Sequence, residues 1–267
     1  MSDSAVQDSP PIELLFLGTG TSAGVPMIGC HCDVCQSHDP RDKRTRCSVV
    51  IHYGGKSVLI DTSPELRLQA VANRVDRIDA IVFTHAHADH IMGLDDARRF
   101  NAILGGPLDV FADPLTMRMI QQCFDYAFRE PKPEWKLFRP HLNAHLITGL
   151  FEIFGQRWTP IPLIHGEGSV LGFRVGNLAY CTDASAVPPE SRKLMQGLDV
   201  LVLDALQDRK HPTHLTIDEA LAVVEELRPR ETWFTHMSHQ VMHATVDPRL
   251  PEGVRLAFDG LRVTTLR

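Results

Sequence analysis

Short apolar runs separated by polar turns fill the first half of the chain. Runs of about four to eight apolar residues between turn signals are typical of buried strands. The pattern predicts strands at 12–17, 48–53, 57–61, 79–83 and 108–111. It also predicts helices from Ser63 to about Asn73, from the histidine-rich segment at 84–90 through about Arg99, and over 114–128. Ser63 suits the N-cap of the first helix, and Pro64 suits its first turn.

The second half of the chain repeats this organisation. Strands are predicted at 157–163, 170–175, 178–181, 199–204 and 231–235, with helices at about 188–195 and 217–227. In both halves a strand leads into an aspartate, Asp61 or Asp183, then a helix, then a second apolar strand with a polar end. Two such halves predict an α/β fold in which two sheets pack together with helices outside, as a single domain over 12–267. Residues 1–11 are predicted to be a disordered lead-in, and the Pro-rich segment at 130–150 favours no one structure.

Composition and charge exclude several classes of protein. Hydrophobic residues make up 43% of the 267 positions and charged residues 22%, which is ordinary for a globular protein. No apolar run approaches the ~20 residues that cross a bilayer, and the polar N-terminus lacks the apolar core of a signal peptide. We therefore expect a cytoplasmic protein without a membrane partner. The net charge of −6 provides no general positive field for a polyanion, so a nucleic-acid partner is not favoured.

Histidine is abundant, with 14 residues, and its densest cluster follows the apolar strand at 79–83. The segment His85-Ala-His87-Ala-Asp89-His90 places three imidazoles and a carboxylate within six positions. Imidazole suits zinc and neighbouring transition metals, and carboxylate suits harder ions. Alternate residues of an extended turn can face one ion, while Asp89 and His90 can face a second ion beside it.

This segment resembles the signature of the metallo-β-lactamase superfamily. Other motifs of that family have counterparts in the expected order, so the resemblance spans about residues 12–260 and implies a four-layer αββα sandwich. It implies that His85, His87 and His165 hold one metal, that Asp89, His90 and His236 hold a second, and that Asp183 bridges the two. It also implies that Asp61 accepts the other N–H of a ligand imidazole. A carboxylate at a strand end can instead cap the following helix, which leaves the role of Asp61 open.

The family chemistry expected from these residues is hydrolysis. Two divalent ions, zinc, manganese or iron, share a water and lower its pKa enough to give a bridging hydroxide at neutral pH. The same ions stabilise negative charge that builds on a phosphoryl or carbonyl oxygen in the transition state.

A second cluster, Cys30-His31-Cys32-Asp-Val-Cys35, lies in an unusually long loop at about 18–47. Three thiolates need one more ligand to close a tetrahedral structural zinc, and His239 is the candidate, with His31 as the competitor. A free thiol cluster or redox pair is the other interpretation. The Gly18-Thr-Gly20 stretch that opens the loop completes no G-x-G-x-x-G motif, so it predicts no dinucleotide site.

The Gly-Cys-x-Cys-x2-Cys loop and the Thr-His-x-Ser-His-Gln stretch at 235–240 resemble one subgroup of the superfamily. It contains the cyclic ribose-phosphate phosphodiesterase of the carbon–phosphorus lyase pathway and the pyrroloquinoline-quinone biosynthesis protein B. In the phosphodiesterase relatives a histidine before a helix serves the leaving group, and His214 matches it, with His211 as the alternative. His214 can also be a plain loop residue ahead of a helix capped by Thr216.

The resulting hypothesis is a dinuclear metal-dependent phosphodiesterase acting on a small phosphoester, cyclic or linear, with His214, Asp183 and Asp61 in catalytic roles. Competing hypotheses are a thioesterase or lactonase of the same fold, an oxidoreductase of cofactor biosynthesis, and a zinc-binding module without catalysis. The resemblance to dimeric relatives suggests a homodimer. Sequence alone identifies neither the substrate nor the catalytic metals.

Overall fold

Two seven-stranded sheets account for the strands within residues 11–130 and 139–265, which the computed structural model describes. The first sheet contains β1 (Glu13–Gly18), β2 (Ser48–Tyr53), β3 (Lys56–Ile60), β4 (Ala80–Val82), β5 (Leu108–Ala112), β6 (Leu142–Leu146) and β14 (Arg262–Thr264), in the order β14-β1-β2-β3-β4-β5-β6. The second contains β7 (Phe151–Ile153), β8 (Gln156–His165), β9 (Gly168–Val175), β10 (Leu178–Cys181), β11 (Val200–Asp204), β12 (Glu231–Thr235) and β13 (Val254–Leu256), in the order β13-β12-β11-β10-β9-β8-β7. The predicted lead-in falls outside the described residues except for its last position.

Short helices connect the strands. They are α1 (Asp33–Gln36), α2 (Leu66–Ala72), α3 (Ala88–Ile91), α4 (Arg98–Leu104), α5 (Pro114–Cys123), α6 (Pro189–Leu194), α7 (Ile217–Leu227) and α8 (His243–Val246). Capping explains where two of them begin. Asp113 accepts the N–H groups of Leu115 and Thr116 at the start of α5, and Thr216 forms a reciprocal capping box with Glu219 at the start of α7. No helix of the described chain is long and apolar enough to cross a membrane.

Apolar side chains on both faces of the strands create three core layers. Along β1, Leu14 and Phe16 belong to the layer between the sheets, whereas Leu15 and Leu17 pack toward the helices of the first half. A third layer, which includes Leu201 and Leu203, lies between the second sheet and its helices. Burial on both faces explains why the strands have continuous rather than alternating apolar runs. The predicted α/β architecture of two packed sheets with helices outside, a four-layer sandwich, is confirmed.

The predicted helix at 63–73 is shorter than expected. It begins at Leu66, its N-cap is Glu65, and no side chain caps it. The Ser63 hydroxyl donates to the Gln69 side chain instead, at 2.9 Å. The prediction that Ser63 caps this helix was therefore wrong, because tertiary contacts use its hydroxyl elsewhere.

The predicted continuous helix through Arg99 is broken into α3, a 3-10 turn at Leu94–Ala97, and α4. Gly93 lies at the break, and a Cβ at this position would lie 1.9 Å from the carbonyl oxygen of Ser63. This close approach requires glycine and interrupts the helix. The predicted helix at 114–128 likewise ends at Cys123 and continues as a 3-10 turn at Asp125–Phe128.

Candidate active site

Three polar residues that lie one or two positions after strands turn the chain toward a common site. Asp61 follows β3, Asp183 follows β10 and His236 follows β12, and their φ angles are 62°, 57° and 61°. This left-handed region is uncommon for residues other than glycine and costs on the order of 1–3 kcal/mol each where the surroundings enforce it. The strand ends thus hold these side chains in a strained conformation that points to a functional site.

His85, His87 and His165 form the first donor group. Their ligand atoms lie within 4.8 Å of one another, although His85 follows β4 and His165 ends β8 of the other sheet. His165 Nδ1 donates to the carbonyl of Thr213 at 2.8 Å, which leaves Nε2 as the free lone pair. Burial, together with the neighbouring histidine His90, lowers the pKa of His85 well below its ordinary value, so its neutral form is favoured.

Asp89, His90, Asp183 and His236 form the second donor group, also within 4.8 Å of one another. His90 Nε2 lies 3.3 Å from one Asp183 oxygen, and His236 Nε2 lies 3.2 Å from the other. Burial alone would lower the pKa of His90, but the carboxylates of Asp183 and Asp61 outweigh it and raise this pKa well above 6.5. Burial would likewise raise the pKa of Asp183, yet His236 and His90 hold it well below 3.8. The imidazoles and carboxylates of this group therefore stabilise one another's charged forms.

Asp183 lies between the two groups. Its carboxylate also lies within 4.8 Å of the ligand atoms of His165 and His214. One carboxylate thus has an imidazole of each group within reach. This is the position expected of a group shared by two ions.

Asp61 orients the imidazole of His90. Its Oδ2 accepts from His90 Nδ1 at 2.7 Å and from the Thr84 hydroxyl at 2.7 Å, while its Oδ1 accepts the Thr84 backbone N–H at 2.8 Å. Asp61 does not cap the next helix, which starts five positions later at Leu66. These bonds fix the ring so that its Nε2 faces Asp89 and Asp183.

The residues present fit a pair of divalent ions. Nε2 of His85, His90 and His236 is buried and makes no hydrogen bond of good geometry within the described chain, although those of His90 and His236 lie 3.2–3.4 Å from carboxylate oxygens of Asp89 and Asp183. Buried polar atoms without partners are costly, so such atoms in a folded protein indicate an additional ligand. Five imidazoles (His85, His87, His90, His165 and His236) together with the carboxylates of Asp89 and Asp183 form a donor set typical of zinc, manganese or iron.

Asp204 and His214 form a buried pair beside the second group. His214 Nδ1 lies 2.7 Å from Asp204 Oδ2, which also accepts the backbone N–H of Ala184 at 2.8 Å. The His214 ring stacks on His236 with centroids 4.5 Å apart and meets His165 edge-on at 5.0 Å. His214 is therefore a buried member of the site and more than a loop residue ahead of a capped helix.

Sequence reasoning did not assign Asp204 to the site. The sequence did show that Asp204 is a polar residue at the end of an apolar strand. It did not show that His214 is its partner, because the two are brought together by the fold. His211, the alternative to His214, lies at a ring-centroid distance of 5.2 Å from it and has no contact with Asp204 comparable to that of His214.

A cavity of about 260 Å³ opens over both groups. It is lined by Thr21, Ser22, His87, Asp89, His165, Asp183, Leu206, His211, Thr213 and His214. Its size suits a small molecule, and most of its lining side chains are polar. A larger groove of about 820 Å³ lies between α2 and α4, but it contains none of the predicted ligands.

Cys30, Cys32, Cys35 and His239 form a separate cluster whose ligand atoms lie within 4.8 Å of one another. His239 Nδ1 is 3.3 Å from Cys30 Sγ and 3.4 Å from Cys32 Sγ. The structure brings His239 rather than His31 to the three thiols.

The environment of the cluster favours a thiolate. The backbone N–H of Cys35 and the ring of His239 lower the pKa of Cys32 to about 6, whereas burial raises the pKa of Cys35 to about 11. Thiolate is the metal-binding form, so a low thiol pKa beside a histidine suits zinc. His239 lies three residues after His236, so an ion here would tie the long loop to the segment that carries that donor.

Replacing Cys32 with serine tests the cluster as a structural zinc site. We expect a loss of about one zinc per chain and a fall in the thermal midpoint of about 5–10 °C, because the ion's binding energy stabilises the folded loop. Metal analysis and thermal unfolding measure these effects. The exposed Cys123 provides the matched control, Cys123→Ser, which should keep zinc and stability. Unchanged zinc content in Cys32→Ser would contradict the site.

Comparison with known proteins gives consistent similarities. A model of the β-lactamase superfamily domain matches residues 56–237. The crystal structure of a diphosphatase from the PhnP family is 43% identical, with a TM-score of 0.88 over 95% of this chain and 97% of that one. Zinc-bound PqqB from Methylobacterium extorquens is 19% identical, with a TM-score of 0.74 over 94% of this chain and 99% of that chain, a likeness that concerns the fold alone.

An octanoyltransferase of Porphyromonas gingivalis is 35% identical over 251 residues. The match covers 92% of this chain, which spans about half of that protein's length.

Proposed function

Because the chain belongs to the β-lactamase superfamily, we propose that it is a dinuclear metal-dependent phosphodiesterase that hydrolyses a small phosphoester. The observation that carries this proposal is the pair of adjoining donor groups with Asp183 within reach of both. Most members of this superfamily are hydrolases, and the cavity opens directly over these groups.

In this proposal His85, His87 and His165 would hold one ion, Asp89, His90 and His236 would hold the other, and Asp183, within reach of both donor groups, would be shared. Two divalent ions supply a water of lowered pKa and neutralise charge on the oxygens of the phosphoryl group. Asp61 and the Thr213 carbonyl fix the rings of His90 and His165, so the ligand atoms need little rearrangement.

His214 provides the leaving group's proton. Its Nδ1 faces Asp204 at 2.7 Å, so the carboxylate fixes the ring, and Nε2 is the atom that donates. His214 lines the cavity, which places this donor beside the bound ester. Departure of an alkoxide without a proton is slow, so a positioned acid raises the rate most for poor leaving groups.

Attack at phosphorus is supported by the likeness to the diphosphatase at 43% identity over nearly the whole of both chains. The name of the octanoyltransferase does not favour attack at a carbonyl, because this chain spans only half of that protein. The small cavity and the net charge of −6 support a small phosphoester rather than a nucleic acid as the partner.

Removal and return of metal test the proposal. Chelated protein should lose hydrolysis of bis(p-nitrophenyl) phosphate by at least about 100-fold, and manganese or zinc should restore it, because the ions provide the nucleophile and the charge stabilisation. Metal content is measured in the same samples. A His87→Ala variant should resist restoration, whereas His145→Ala, an exposed histidine on β6, should behave like the parent. Protein with a full metal load that is inert to phosphodiesters but cleaves thioesters or lactones would overturn the proposal.

A further inference from the structure

We propose that Thr21 and Ser22 bind a second phosphoryl group of the substrate, so that the preferred substrates are diphosphate diesters cleaved between their two phosphorus atoms. The inference rests on the proposed phosphodiesterase function and adds a substrate class to it. Both residues line the cavity that opens over the two donor groups. They belong to the Gly-rich segment at 18–24, which contributes no ligand to either donor group.

The segment is held rigidly at the site. Gly20 N–H donates to the carbonyl of Thr45 at 2.8 Å, and Thr21 N–H donates to the carbonyl of Met237 at 3.2 Å. Met237 directly follows the donor His236, and its own N–H donates to the Thr19 carbonyl at 3.0 Å. The backbone of Thr21 is therefore in register with the chain that carries a metal-binding histidine.

Two glycines make this close approach possible. A Cβ at Gly18 would lie 2.1 Å from the carbonyl oxygen of Arg46, and one at Gly20 would lie 2.8 Å from that of Arg44. Beyond them the chain turns, since Gly24 N–H donates to the Thr21 carbonyl and Arg46 Nε donates to the Ser22 carbonyl, both at 2.8 Å. The backbone that carries the two hydroxyl groups is thus fixed by a built turn against the strand, at the edge of the cavity.

The chemistry of this part of the cavity favours an anion. The lining residues other than the proposed metal ligands offer hydroxyl donors at Thr21 and Ser22 and the imidazoles of His211 and His214. The lining carboxylates, Asp89 and Asp183, both belong to the donor groups. His211 Nδ1 accepts from Thr213, so the neutral ring carries its proton on Nε2 and can donate from that atom. Hydroxyl and imidazole donors suit the oxygens of a phosphoryl group.

The reaction then has a defined leaving group. The oxygen of water forms a bond to the phosphorus that lies beside the two donor groups, and the bond from that phosphorus to the bridging oxygen breaks. The water keeps one proton on the product and releases the other to solvent, from which His214 is afterwards reprotonated. The bridging oxygen departs with the second phosphoryl group as a phosphate monoester, and its proton comes from His214. Thr21 and Ser22 act by binding that departing group.

The test compares two substrates with metal-loaded enzyme. The first is symmetrical bis(p-nitrophenyl) diphosphate, whose product, p-nitrophenyl phosphate, is measured by chromatography. The second is bis(p-nitrophenyl) phosphate, which has a single phosphorus atom. Thr21→Val and Ser22→Ala should each lower kcat/KM for the diphosphate about tenfold to a hundredfold, because each removes a hydrogen bond to a charged group. The loss of kcat/KM for bis(p-nitrophenyl) phosphate, the monophosphate diester, should be several-fold smaller. Thr21→Ser should recover the diphosphate activity, and Thr264→Val, an exposed threonine on β14 at the far end of β1, is the matched control.

The outcomes separate the two proposals. Parent enzyme that cleaves the monophosphate diester but ignores the diphosphate would overturn the second-phosphoryl site and leave the phosphodiesterase standing. Equal losses on both substrates, or losses that Thr21→Ser fails to recover, would also overturn it, since they would indicate a structural role. Metal-loaded parent enzyme that is inert to both would overturn the proposed function itself.

Discussion

Replacing Asp183 with asparagine is expected to lower kcat for phosphodiester hydrolysis at least about 1,000-fold and to reduce the bound catalytic metal. The carboxylate lies within reach of both donor groups, so its charge is available to both proposed ions. Without it, five imidazoles and Asp89 alone would have to hold two divalent cations. Asparagine tolerates the left-handed conformation better than most residues, so this variant removes the charge without adding strain at φ 57°.

Metal analysis and steady-state kinetics on the same preparation measure this effect. Asp109→Asn, a partly exposed aspartate on β5 away from the donor groups, is the matched control and should retain both metal and activity. A variant that folds like the parent but keeps two ions and ordinary turnover would contradict the role of Asp183 as the shared group.

Replacing His214 with alanine is expected to lower kcat about 100- to 10,000-fold while the metals stay bound, because proton delivery to the leaving oxygen contributes on this scale. The loss should grow with the pKa of the leaving alcohol. An aryl ester such as p-nitrophenyl should therefore lose less than an alkyl ester. Asp204→Asn should act in the same direction but more weakly, since the amide oxygen can still accept from His214 Nδ1.

A series of esters of increasing leaving-group pKa checks this prediction. His211→Ala is the comparison, and its effect should not depend on the leaving group, because Asp204 supports His214 rather than His211. Metal content must be measured too, since the His214 ring stacks on His236. A loss that is uniform across the series, or one that follows metal loss, would contradict proton delivery by His214.

Several features of the site could be predicted from local sequence. His85, His87, Asp89 and His90 are close in the chain, so their spacing after an apolar strand indicated a common site without any knowledge of the fold. The repeated order of strand, aspartate and helix also predicted two packed sheets, because continuous apolar runs require burial on both faces. The short strands β13 and β14 were not predicted, since three residues carry too little pattern to distinguish them from loops.

The pairing of Asp204 with His214 depends on tertiary structure. Strands β10 and β11 run parallel, with Cys181 opposite Leu203, and this register brings Asp204, the last residue of β11, to the same edge as the segment after β10. The loop that carries His214 returns to that edge, where the N–H of Leu215 donates to the carbonyl of Ala184 at 2.6 Å. Register between distant strands is set by packing of the whole sheet and not by either strand alone. The sequence therefore showed a polar strand end at Asp204 but could not show its partner.

By itself the sequence determined the chemistry that is available: the ligand types, the strand ends that carry them, and a cysteine loop in need of a fourth ligand. Only the tertiary structure decided which groups meet. It brings His239 to the thiols in place of His31, turns Asp61 toward His90 rather than toward the start of α2, and places Thr21 and Ser22 at the cavity. The physical reason is that hydrogen bonds and metal ligation act over a few ångströms, and the separations that matter here span up to about 200 positions of the chain.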